Sequence, residues 1–262
     1  MPLVPSYVAA GRVACQAKTP VSGVDDRVAA IKGLIARQPV VGLGGSAGLL
    51  QRVCTAATLA LSASGAGISV MTDDGVRGVS AASDPRSARI EELQFVLGEG
   101  PCMDAFATRR PVLVPDLADG AAARWPIYTP AAHEGGIRAV FAFPLQIGAV
   151  RMGVLDLFRD CAGPLAGDEL PLALTFADVT VAALLDRQED AGVSGAGDDL
   201  AAGVEHRAEL FQAQGMVMVQ LGVSLTEAMA RMRAYAYVEG RPLAEIARDV
   251  VARRLRFDRD HS

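Results

Sequence analysis

The stretch "AGVSGAGDDLAAG" at 191–203 separates two regions of different hydrophobic period. It is small, polar and rich in glycine, the composition of a linker. Before it, segments with the two-residue alternation of a strand are interleaved with helical ones. After it, every periodic segment is helical. A fold for this chain must therefore build a sheet within 46–190 and a helical unit within 204–257.

The first region opens with an extension, 1–45. Residues 1–23 have no clear periodicity and read as a loose leader. "VDDRVAAIKGLIARQ" (24–38) places Val28, Ile31, Leu34 and Ile35 at helical spacing. Asp25 and Asp26 fall in its first turn, where the helix dipole favours negative charge. From Ser46 a second helix carries an apolar face too wide to be solvated. "GAGISVMTD" (65–73) alternates as a strand, "DDGVRG" signals a turn, and "GVSAAS" (78–83) suits the returning strand. Residues 88–110 read as helix, glycine loop, helix, and "PVLVPDL" as a short strand. Residues 136–160 read as two strands about "IGAVR", and 166–190 as a long closing helix. This order predicts an α+β fold, an antiparallel sheet with flanking helices, over 46–190.

The second region predicts three helices. Leu210, Ala213, Val217 and Leu221, with Met218 beside them, line the first, and Gly222 suits a left-handed cap. Ser224 and Glu227 form a capping box at the start of the second. Its inner face is Leu225, Ala228, Met229, Met232 and Ala236, and Gly240 ends it. Pro242 fits the first position of the third, whose inner face is Leu243, Ile246, Ala247, Val250 and Val251. Three such helices make a marginal core alone, so the unit is expected to lean on a partner chain or on the first region. Gly215, inside the first helix, costs about 1 kcal/mol against alanine. It has two readings: close approach of a second helix, or a bare backbone patch open to a ligand.

Charge distinguishes this unit. The chain has a formal net charge of −5, yet between Arg231 and Arg256 seven arginines face three acids. Guanidinium forks suit phosphates, and Tyr235 and Tyr237 share a helix with Arg231 and Arg233. The four cysteines, Cys15, Cys54, Cys102 and Cys161, match no zinc or CxxC spacing, and the three histidines are scattered. No metal site is expected, and the thiols read as reduced and cytoplasmic. The N-terminus lacks the order of a signal peptide, and no apolar run reaches membrane-spanning length.

The segment "LFQAQGMVMVQLGVSLTEAMARMRAYAYVEGRPLAEIARDVVARRL" closely resembles the ANTAR domain, a three-helix RNA-binding module of transcription antitermination regulators. The resemblance rests on Ala213-Gln214-Gly215 through Met218, Ser224, Glu227-Ala228, Met232-Arg233 with Ala236, and Leu243 through Val251. Gln214 departs from the pattern: many relatives carry lysine there, so one positive charge is replaced by a hydrogen-bonding amide. The resemblance implies binding to paired stem-loops in nascent mRNA, as a homodimer, which keeps a terminator hairpin from forming. It points to Gln214, Arg231, Arg233, Tyr235 and Arg241 as RNA contacts, and to Ala213, Gly215 and Ala228 as packing residues.

Residues 46–186 resemble a GAF domain, a six-stranded α+β sensor module. The features are Gly98-Glu99-Gly100-Pro101-Cys102, "PVLVPDL" with Asp116, Trp125-Pro126, Gly136-Ile137-Arg138 and "FPLQIGAVRMGVLDLF". GAF domains bind unrelated ligands, so the resemblance implies a small-molecule site without naming its occupant. Cys102, Trp125 and Arg138 are the candidate ligand residues. No haem-ligand or bilin-cysteine pattern stands out, and no cofactor is assigned. Cys102 reads as a small buried hydrophobe; at a helix N-terminus its thiol pKa would instead fall and it would sense oxidants. Trp125 either caps the sheet edge or lines a pocket. "HE" at 133–134 reads as a surface loop, and "GEG" lacks the lysine of a phosphate loop.

The expected protein is thus a cytoplasmic, non-enzymatic regulator. A sensor domain sets the activity of an RNA-binding domain, with dimer geometry at 176–190 as the route between them. The alternative is a ligand-gated DNA-binding regulator, against which the apolar third helix argues. A third class is a GAF-type redox enzyme.

Overall fold

The computed structural model describes residues 23–39, 45–71, 77–194 and 198–258. Residues 1–22 and 72–76 lie outside the described residues, and with them the proposed leader and most of the "DDGVRG" turn. The first helix, α1 (Val24–Ala36), is followed by α2 (Gly45–Ala60), β1 (Gly65–Met71), β2 (Arg77–Ala82), α3 (Pro85–Leu97) and α4 (Pro101–Thr108). Then come β3 (Val112–Val114), α5 (Ala121–Arg124), α6 (Tyr128–Glu134), β4 (Ala139–Ile147), β5 (Val150–Arg159) and α7 (Glu169–Ser194). Three helices complete the chain: α8 (Asp198–Leu221), α9 (Leu225–Glu239) and α10 (Leu243–Val251).

All four strand pairings are antiparallel, in the order β2-β1-β5-β4-β3. The sheet has five strands among the described residues, one fewer than the resemblance implied. Both of its faces are covered. On one, Ile68, Phe141, Phe143, Leu155 and Leu157 pack against α2 and α7, with α1 lying on those two helices. On the other, Met71, Val140, Val154 and Phe158 pack against α3, α4 and α6. Burial on both faces explains why β5 reads as a nearly continuous apolar run rather than an alternation.

Helix α3 is defined at both ends. Asp84 caps its N-terminus, accepting from the backbone N–H of Arg86 at 2.9 Å and of Ser87 at 3.0 Å, with Pro85 in the first turn. Gly98 closes it in the left-handed conformation at φ 69°. Arg159, 4% exposed, ties three elements together at the far side of the sheet. Its guanidinium donates to the carbonyls of Leu61 (2.8 Å) and Pro164 (3.2 Å) and pairs with Glu169 at 2.7 Å, fixing the start of α7.

In the helical unit, Leu210, Ala213, Val217, Ala228, Met229, Met232, Ala236, Leu243, Ile246, Ala247 and Val250 form a third core. The sequence pattern named all of them, but Leu225 is 51% exposed rather than inward. Ser224 Oγ accepts from the Glu227 N–H at 3.2 Å. Pro242 is the cap residue of α10 and not its first turn, because its ψ of 137° is extended. The unit leans on the first region, one of the two expected supports. Val96 and Phe95 of α3 join its core, and the Glu92 carboxylate accepts the N–H of Leu243 at 3.1 Å. The 191–203 stretch is helical on either side of 195–197, which lie outside the described residues.

Gly215 corrects the close-approach reading. A Cβ built there meets nothing within 4 Å, so no second helix among the described residues needs the glycine.

Candidate functional site

The middle of β5 carries Asp156 on the face that looks toward α3 and α4. Its cross-strand neighbours are Gly67 on β1 and Ala142 on β4, both too small to cover it. Glu91 descends from α3 into this gap, and a Cβ at Gly67 would collide with its carboxyl group. Cys102 enters from the first turn of α4, and Tyr128 from α6. Ser69 on β1 donates its hydroxyl to Glu91 at 2.8 Å, and the Gln94 amide reaches Asp156 at 3.5 Å. Ligand atoms of Glu91, Cys102 and Asp156 all lie within 4.8 Å of one another. All three residues are at most 1% exposed.

The loop between α3 and α4 holds this arrangement in place. Gln94 Oε1 accepts the Cys102 N–H at 2.8 Å, linking the two helices. Glu99 accepts the N–H groups of Ile127 and Tyr128, each at 2.7 Å, and so fixes the start of α6. Trp125 Nε1 donates to Asp104 at 3.1 Å, and the Trp125 ring meets Tyr128 edge-on. Trp125 is thus a buried wall of the second core, 2% exposed.

Burial sets the protonation here. It raises the Glu91 carboxyl well above its ordinary value, helped by the neighbouring Asp156 charge and by a hydrogen bond to it. Burial also lifts Asp156, to about 6, against hydrogen bonds from Glu91, Cys102 and Gln94 that favour its charged form. The Cys102 thiol is pushed up by burial and then by the Asp156 and Glu91 charges. Cys102 does sit at a helix N-terminus, but the dipole is outweighed, so the lowered pKa that an oxidant sensor needs is absent.

The remaining sensor-domain candidate stands apart. Arg138 donates to the carbonyls of His133 (2.9 Å) and Ile137 (3.0 Å), closing the turn after α6. His133 and Glu134 end that helix rather than forming a loop. Cys102 and Trp125 therefore share one core with the polar cluster, while Arg138 braces the turn that leads into β4. Glu91, Asp156, Tyr128, Ser69 and Gln94 were missed. A signal existed: in "GVLDLF" an acid interrupts a run whose neighbours on both sides are apolar.

The RNA-contact candidates are scattered in role. Arg231 is exposed and lies 3.5 Å from Glu227. Arg233 lies across Phe95 of α3, 5.5 Å from the ring centroid. Tyr235 meets Phe257 edge-on at 5.4 Å. Arg241 pairs with Asp249 at 2.7 Å and with Glu245 at 3.4 Å. Gln214 Nε2 donates to the carbonyl of Leu225 at 2.8 Å, bracing the α8–α9 turn.

A GAF domain family model matches residues 46–185, more than half of the chain. The chain belongs to the GAF domain family. An ANTAR domain model matches residues 198–251. A GAF sensor joined to an ANTAR domain makes the chain a signal-responsive regulator. Among solved structures, the GAF domain of a phosphoenolpyruvate-protein phosphotransferase from Coxiella burnetii is 16% identical with a TM-score of 0.48, covering 65% of this chain and 97% of that one. The corresponding domain from Acinetobacter is 12% identical, TM-score 0.47, covering 66% and 100%. Free methionine-R-sulfoxide reductase from Neisseria meningitidis is 12% identical, TM-score 0.45, covering 68% and 99%. A comparison with curated proteins found no match. No helix among the described residues is long and apolar enough to cross a membrane.

Proposed function

We propose that this GAF–ANTAR chain is a cytoplasmic, non-enzymatic regulator that binds stem-loops in nascent mRNA and promotes transcription antitermination. The observation that carries the reading is the ANTAR match over α8–α10, the segment where arginines outnumber acids in an acidic chain. Arg231 on α9 and Arg248 on α10 are exposed and suited to phosphate. The open backbone at Gly215 supports the same reading, since a bare helix surface admits close approach of a ligand. The GAF domain supplies the signal input through a small-molecule site in its second core, and the working species is a homodimer formed along α7.

Binding measurements test this directly. The protein is titrated with RNA bearing two short hairpin loops and with duplex DNA of equal length. RNA should bind more tightly, and Arg231→Ala should weaken it and lower the salt slope by about one. Equal binding of DNA, or no effect of Arg231→Ala and Arg233→Ala, refutes the reading. Sedimentation equilibrium checks the dimer.

A further inference from the structure

The polar cluster in the second core has the composition of a metal site. Two carboxylates and a thiol converge with their ligand atoms within 4.8 Å of one another. Glu91 Oε1 and Asp156 Oδ1 are buried and have no hydrogen-bond partner outside the cluster itself. A separate element points to the same place. The hydroxyl of Tyr128, on α6, is also buried and unpartnered, within electrostatic reach of Asp156, Glu91 and Cys102. Buried polar atoms without outside partners are costly and rare, and here three gather around one core.

We infer that Glu91, Cys102 and Asp156 form a binding site for a divalent transition-metal ion of the zinc or ferrous class. Donors around a tetrahedral ion of this kind are about 3.3–3.8 Å apart, given bonds of about 2.0–2.3 Å, so a small contraction closes the site. A sulfur donor selects against magnesium and calcium, which take oxygen ligands. The Tyr128 hydroxyl, buried and within electrostatic reach of all three, is the candidate fourth donor. Ser69 on Glu91 and Gln94 on Asp156 supply the outer hydrogen bonds that orient metal-binding carboxylates. The ion enters as the Cys102 thiol proton and the proton held between Glu91 and Asp156 leave to solvent, and no electron is transferred. The inference goes beyond the RNA-binding reading and does not rest on it.

The test uses the full chain, stripped with a chelator and titrated with Co2+. One equivalent should bind, with a thiolate-to-cobalt charge-transfer band that Zn2+ abolishes by displacement. Cys102→Ser should remove the band, Glu91→Gln should weaken Co2+ at least about tenfold, and Cys161→Ser should leave the band unchanged. Absence of bound Co2+ and Zn2+ by elemental analysis, or a band that survives in Cys102→Ser, overturns the site. Should Cys102→Ser not fold by circular dichroism, Glu91→Gln decides, and unchanged Co2+ affinity there overturns it equally.

Discussion

The guanidinium of Arg233 lies 5.5 Å from the centroid of the Phe95 ring, joining the ANTAR bundle to a helix of the GAF domain. A Cβ at Gly98 would fall 2.8 Å from the same guanidinium, so the contact wraps the end of α3. An RNA-contact candidate is thus held against the sensor. Phe95→Ala should cost about 2 kcal/mol of stability, less than a fully buried phenylalanine. It should also increase amide exchange in α9 and tighten RNA binding, because Arg233 is released. Hydrogen exchange and RNA titration on the same sample check both.

Gly215→Ala separates helix stability from ligand contact. With open space around the new methyl group, the substitution should stabilise the protein by about 0.5–1 kcal/mol in urea unfolding. If α8 presents its backbone to RNA there, affinity should fall in the same variant.

Asp84 gives a pH dependence of known sign. Burial pulls its pKa up, but hydrogen bonds from Ser87 and Ser83 and from the Ser87 and Arg86 N–H groups bring it below the ordinary value. The folded state therefore holds the proton less tightly than the unfolded chain. The contribution is complete above about pH 3.9 and is lost as the pH falls through the folded pKa. Asp84→Ala should cost about 1 kcal/mol at neutral pH, and the gap to wild type should narrow below about pH 4. Urea midpoints from pH 7 to 2.5 measure it.

Gly67→Ala should destabilise by about 1–3 kcal/mol, the cost of overpacking, because the methyl group lands on the Glu91 carboxyl. Thermal unfolding of Gly67→Ala and of the double variant with Glu91→Ala tests the origin. The second substitution should recover part of the loss.

The helical unit was legible because its burial is one-sided and local: Ala213, Val217, Met232 and Ile246 sit where a 3.6-residue period puts them. The strands were legible as existing, from the glycine turns around β4 and β5. The polar cluster was not, because its members come from β1, α3, α4, β5 and α6, and only tertiary packing assembles them. Asp156 alone left a trace, as an acid inside an apolar run. Gly215 misled because a helix glycine has two physical causes, crowding and exposure, that leave the same letter.

The Arg159 clamp has a mechanical consequence. It fastens α7 at Glu169, and Phe176 and Thr180 press the next turns onto the sheet domain. Leu184 and Leu185 still pack on the first core, and the helix then continues to Ser194, roughly 14 Å beyond Leu185 at 1.5 Å per residue. A beam held at one end magnifies displacement along its free length. A few degrees of tilt where α7 leaves the sensor therefore become a shift of ångström size at its far end.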